Sequence, residues 1–198
     1  MTVAQSTSTP ISSTKTIIPA QSFLGAHLLP VAIGVGLLTL FSKISIPLQP
    51  VPISLQTVAV MLIGLLYSRS NAIQTVATYL ALGALGLPVF VGPLVGMTKL
   101  IGPTGGYLIG FLAAVAVMTT LRDKWLNKPS FLHQTALCIV GTLALFACGI
   151  TWLTALSSFK AAIAGGVLPM ILPAIVKIGI LVSMLKLHRL ASGWYRSH

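Results

Sequence analysis

The side chains able to do chemistry are few: one lysine inside an apolar run, and a cluster of polar residues between two others. Lys177 stands in GGVLPMILPAIVKIGILVSML, a segment with no other charge. A charge at membrane depth is costly and by default marks a function. No apolar segment contains a carboxylate to neutralise it, so its ammonium is expected to await an anion brought by a ligand. Snorkelling of the long stem to the interface is the structural alternative.

The cluster lies in GLPVFVGPLVGMTKLIGPTGGYLIGF (86–111), where three prolines and five glycines fall between Pro88 and Gly106. Phe90, Lys99, Thr104 and Tyr107 stand among them. Irregular backbone at membrane depth is tolerated only where protein buries it or where it lines a cavity. Pro103-Thr104-Gly105-Gly106 has the pattern of a helix start, with Thr104 as N-cap and free N–H groups behind it. Gly105 and Gly106 would let a ligand approach that backbone closely. A plain structural bend is the alternative. An occluded pocket of Lys177, the Thr104–Gly106 helix start, Gln56 and some aromatics suits an amphipathic anion with a polar head and an apolar body.

Much chemistry is excluded. Asp123 is the single carboxylate of the chain, so carboxylate-pair catalysis and Asp- or Glu-based proton relays have no residues to use. His27, His133, His188 and His198 form no i, i+4 pair for a metal. There is no phosphate-binding GxxxxGK[ST] loop. No catalytic residue, metal or cofactor is expected, and the chain is not expected to be an enzyme. Cys138 and Cys148 fall in one apolar segment, about 15 Å apart along a helix, and are expected as core cysteines.

The elements that must hold these residues are membrane spans. Of 198 residues, 56% are hydrophobic and only 7% charged, which defines an integral membrane protein. The net charge of +11 falls between apolar runs, so it sets topology and meets lipid headgroups, with no nucleic-acid partner expected. Six spans are expected, at about 22–41, 53–67, 71–87, 104–121, 131–156 and 168–187. The fold class is thus an all-α bundle of six transmembrane helices with a Gly/Pro-rich outer binding loop. The second and third spans are short for a bilayer core of about 30 Å. Residues 1–20 are expected as a disordered cytoplasmic tail, 21–190 as the substrate-binding domain and 191–198 as a second cytoplasmic tail.

Lys15, Arg69, Arg122, Lys124, Lys128, Lys186, Arg189 and Arg196 then share one face, and Lys43, Lys99 and Lys160 the other. The positive-inside rule puts both termini in the cytoplasm. The outer loops are 42–52, 88–103 and 157–167, so SIPLQPVPISLQT (45–57) and the Gly/Pro loop meet on one face. Gly102, Gly106 and Gly110, four apart, have the spacing of close helix packing. Ala32 and Gly36 form a second small-residue pair, suited equally to packing within the bundle and to a partner protein.

Three stretches, ISIPLQPVPISLQTVAVML (44–62), LGALGLPVF (82–90) and LIGPTGGYLIGF (100–111), resemble the BioY family of biotin transporters in order and spacing. These are the substrate-binding S components of energy-coupling-factor vitamin transporters. The similarity runs from about residue 22 to 187. It implies a six-helix protein of the plasma (inner) membrane that captures biotin from outside, coupled to a transmembrane T subunit and two ATPases, or self-associating if solitary. The family's last span usually carries Pro-x-x-Pro-Gly-Asp-x-x-Lys. Pro169 and Lys177 keep their places, while Leu172, Pro173 and Ala174 occupy the Pro, Gly and Asp positions. The missing Asp would leave the ureido N–H groups to Gln56 or a backbone carbonyl. It also raises the alternative of another small anionic, vitamin-like ligand. The family's small-residue pattern for the T subunit corresponds to Ala32 and Gly36.

Overall fold

The computed structural model describes residues 20–94, 96–124 and 130–196, with side chains from Leu28 to Leu187. It is almost entirely helical: α1 (Ala20–Lys43), α2 (Gln56–Leu66), α3 (Arg69–Ala84), the short α4 (Met97–Ile101), α5 (Gly105–Lys124) and α6 (Phe131–Leu156). A single turn, α7 (Phe159–Ala161), then continues as a π-helix over Ala162–Val167 into α8 (Leu168–Arg196). Two short antiparallel strands, β1 (Ser45–Ile46) and β2 (Ile53–Ser54), pair Ser45 with Ser54 and Ile46 with Ile53. The expected tail at 1–20 lies outside the described residues except for Ala20, as do Lys15, Lys128 and His198. At the other end, helical backbone continues to Arg196, through most of the stretch expected as a tail.

Among the described residues, three helices are long and apolar enough to cross a membrane: Gly105–Lys124, Phe131–Leu156 and Phe159–Leu187. Leu28–Lys43 and Gln56–Leu66 are apolar but shorter. The α2 helix has 11 residues, about 16 Å of rise against a hydrocarbon core of about 30 Å. It is shorter than the expected 53–67 because Ile53 and Ser54 are spent on β2. Pro50 and Pro52 just before it lack the N–H that an earlier helical turn would need. The loop expected at 157–167 is also helical from Phe159 onward. Ser158 caps it, its side chain accepting from the Ala161 N–H.

Helices α5 and α6 pack most closely, through glycine. A Cβ on Gly106 would stand 2.2 Å from Trp152 Cβ, and one on Gly110 would stand 2.9 Å from the Leu145 carbonyl oxygen. From the other side, Gly141 and Gly149 of α6 make room for Met118 and for the Tyr107 ring. Small residues that bring two backbones together replace the hydrophobic drive that lipid cannot supply. The internal-packing expectation for the fourth span therefore holds.

Arg122 ties α5 to α2. Its Nη1 donates to the carbonyls of Gly64 (3.1 Å), Leu65 (3.1 Å) and Tyr67 (2.7 Å). The last carbonyls of a helix have no partner within it, and a cation there also suits the dipole. Its Nη2 pairs with Asp123 at 3.1 Å. This fixes α2, whose opposite end begins with Gln56.

Candidate functional site

A cavity opens among α2, α5, α6 and α8, beneath the β1–β2 hairpin and α4. It encloses about 860 Å³ of non-atom space with its open mouth included. Val60, Met61, Leu108, Phe111, Leu145, Phe146 and Met170 give it apolar walls. The polar side chains are those of Ser54, Gln56, Thr57, Lys99, Thr104, Tyr107, Thr142 and Lys177. No carboxylate lines it.

Lys177 reaches this cavity from α8. Its ammonium donates to the Ser54 carbonyl at 2.6 Å and to Thr57 Oγ1 at 3.2 Å. Both partners are neutral oxygens, one on β2 and one in the first turn of α2. Gln56, 3% exposed, is fixed on both sides of its amide. Its Oε1 accepts from Ser54 Oγ at 3.3 Å and its Nε2 donates to the Tyr79 hydroxyl, which in turn donates to the Val89 carbonyl at 2.9 Å. Tyr79 went unnoticed in the sequence because its partners lie 23 and 10 residues away. The Tyr107 ring lines the cavity, while its hydroxyl donates to the Gly166 carbonyl at 2.8 Å. That carbonyl belongs to the π-helical turn, a rare geometry frequent at functional sites.

Three expected site residues are elsewhere. Phe90 is 2% exposed and packs edge-on against Tyr79, with ring centroids 5.3 Å apart. A Cβ on Gly83 would stand only 2.0 Å from its Cζ, so Phe90 is a core residue that closes the loop onto α3. Gly105 and Gly106 are close to protein, not to the cavity: a Cβ on Gly105 would lie 1.7 Å from the Leu100 carbonyl oxygen. Thr104 does line the cavity, but its hydroxyl donates back to the Lys99 carbonyl at 3.3 Å. The Gly105 N–H bonds Gly102, and the N–H groups of Tyr107 and Leu108 both bond the Thr104 carbonyl. Most of the donors expected to face a ligand are thus already used.

Two positioning residues were missed. Lys43, at the end of α1, donates to the Pro88 carbonyl at 2.6 Å and the Phe90 carbonyl at 3.4 Å, pinning the Gly/Pro loop. Trp152 of α6 donates Nε1–H to the Gly102 carbonyl at 3.0 Å and holds the turn before Thr104. A tryptophan in an apolar run gives no sign of where its N–H will go. Trp152→Phe keeps the ring and removes this bond, whose net worth is about 1 kcal/mol. The thermal midpoint in detergent should fall by a few degrees, and an unchanged midpoint would mean the turn is held by other contacts.

Ala32 and Gly36 are exposed on α1, and a Cβ on Gly36 would meet nothing within 4 Å. They face away from the bundle, between exposed Leu29, Ile33 and Leu40. Cys138 is buried and Cys148 half-buried, both as free thiols. Among the described residues no group of His, Cys, Asp or Glu is placed to hold a metal.

Together these features define a class: a multi-pass helical membrane protein that encloses a small-molecule cavity near one end of its bundle. The chain belongs to the BioY family, whose pattern it matches over residues 13–193. It is 35% identical over 150 residues to the probable biotin transporter BioY of Rickettsia prowazekii, covering 75% of this chain and 76% of that one. To the probable biotin transporter BioY of Pyrococcus horikoshii it is 37% identical over 147 residues, 74% of this chain and 86% of that one. To the biotin transporter BioY of Thermotoga maritima it is 39% identical over 124 residues, 63% and 72% respectively. Among solved structures, the S-component for biotin from an ECF-type ABC transporter superposes with a TM-score of 0.75. That match covers 85% of this chain and 93% of the other at 24% identity, and so shows the shared fold.

Proposed function

We propose that this protein is a biotin uptake protein, the S component of an energy-coupling-factor transporter, and carries out no chemistry on its ligand. The observation that carries this reading is the cavity itself: apolar walls, a fixed amide at Gln56 and an inward-held ammonium at Lys177, with no carboxylate. Biotin has matching parts, an apolar body and chain, a ureido ring and a carboxylate. Lys177 meets the carboxylate, and Gln56 or the backbone around Ser54 meets the ureido group. Ala174 lines the cavity where the family resemblance puts Asp, so the ring is held by fewer charge-assisted bonds. A different anionic ligand gains no support, since the relatives above are named for biotin.

In this reading α1, α2 with its hairpin, α3, α5, α6 and the α7–α8 segment are the six spans of a plasma (inner) membrane protein. Both termini are cytoplasmic, and the hairpin and α4 lie outside. The exposed Ala32–Gly36 face of α1 takes a T subunit that works with two ATPases, or a second copy if the protein acts alone. In cells unable to make or import biotin, the chain expressed with an energy-coupling module should accumulate labelled biotin supplied in the medium. Membrane-inserted protein that gives neither accumulation nor surface binding of biotin would contradict the proposal.

A further inference from the structure

Lys99 was expected as one of the polar residues of the Gly/Pro binding loop on the outer face. The structure puts it on α4, 9% exposed, at the wall of the same cavity as Lys177. The preceding loop passes beside it: a Cβ on Gly92 would be 3.8 Å from its Nζ. Among the described residues the Lys99 ammonium makes no hydrogen bond or ion pair. Lys177, by contrast, has two neutral oxygens. The chain's one carboxylate, Asp123, is engaged with Arg122 beside the far end of α2. Burial lowers the pKa of Lys99 from its ordinary value, as for an ammonium stripped of water without receiving a counter-ion.

The Lys99 ammonium is not shut off completely: it lines the cavity, partly stripped of water and without the pairing that offsets such a loss. Lys99 and Lys177 line one cavity that holds no carboxylate, so an anion entering it is the group that would pair with them. We propose that Lys99 is a second cationic contact for the anionic end of the ligand, making the cavity selective for anions independently of Lys177. The inference rests on the ligand assignment above for its probe, but not for its logic. The chemistry it selects is a carboxylate on an apolar stem, and neutral amides or esters of the same shape are rejected.

The test compares four proteins, the original chain, Lys99→Met, Lys177→Met and the double substitution, each titrated with biotin and with biotin amide. Lys99→Met should lower the preference for biotin over its amide by about tenfold, about 1.4 kcal/mol. It should do so in the original background and again in Lys177→Met, leaving the double substitution with almost none. Lys99→Arg, which keeps the charge, should retain most of the preference and shows that the fold tolerates change at this site. An acid-to-amide ratio that Lys99→Met leaves unchanged in both backgrounds overturns the proposal. Pentanoate and pentanamide separate it from the ligand assignment. If biotin fails to bind the original chain but pentanoate is preferred to pentanamide until Lys99 is replaced, the biotin reading falls and the Lys99 contact stands. Absence of any acid preference in the original chain removes it.

Discussion

Lys177→Met is expected to weaken biotin binding at least about tenfold while leaving the bundle intact. The methionine keeps an unbranched apolar stem of similar length, so packing on α8 survives and only the charge is lost. A hydrogen bond to a charged group contributes about 1.5–3 kcal/mol net, and breaking a buried charge pair by removing one partner costs about 3–5 kcal/mol. Even the lower figure exceeds one decade of affinity. The substitution also removes the bonds to the Ser54 carbonyl and Thr57, so the hairpin would be looser over the cavity. Biotin amide separates these effects. Lost hairpin anchoring weakens acid and amide alike, whereas lost charge pairing weakens only the acid. Equal losses for both ligands would show that Lys177 positions the hairpin and does not meet the carboxylate.

The largest expected effect on stability is at the α5–α6 contact. Gly106→Val sets a branched side chain where a single Cβ already lies 2.2 Å from Trp152 Cβ and 2.8 Å from the Cys148 carbonyl oxygen. Neither neighbour is the free end of a flexible chain. Overpacking of this kind costs about 1–3 kcal/mol and sometimes more, and here helix backbone must move. We expect a loss of about 3 kcal/mol, read as a large drop in thermal midpoint and poor recovery of monodisperse protein. Gly36→Ala is the control, because nothing lies within 4 Å of the added carbon, and its midpoint should not fall. Two glycines in small-residue patterns would then differ because one is buried between helices and the other faces outward. Equal tolerance at both positions would place the α5–α6 contact wrongly.

These contrasts show what could be seen in the sequence. Apolar length alone located α1, α5, α6 and α8, since backbone buried in lipid must be helical. It overestimated α2, because the dense prolines before Gln56 belong to a β-hairpin that composition does not distinguish from a loop. The π-helical turn before α8 was also out of reach, as was the bond from Tyr107 to its Gly166 carbonyl across 59 residues. In the site, Gln56, Thr104, Tyr107 and Lys177 do line one cavity. Lys177 stood out because a lone charge in an apolar run needs a reason. Gly105 and Gly106 drew attention for a sound reason, close backbone approach. The approaching group is protein, Leu100 and Trp152, and a glycine pattern cannot say which partner comes close. Lys99 stood out only as a member of the Gly/Pro loop cluster, because its burial at the cavity wall depends on how that loop folds.

The central claim is that this cavity holds biotin by its acid end. Calorimetric titration of the detergent-purified chain with biotin and with biotin amide tests it most directly. The account predicts saturable binding of one biotin per chain and at least about tenfold weaker binding of the amide, the discrimination that one charge-assisted contact supports. Saturation by both ligands with equal affinity, or no binding of biotin by folded protein, would contradict it.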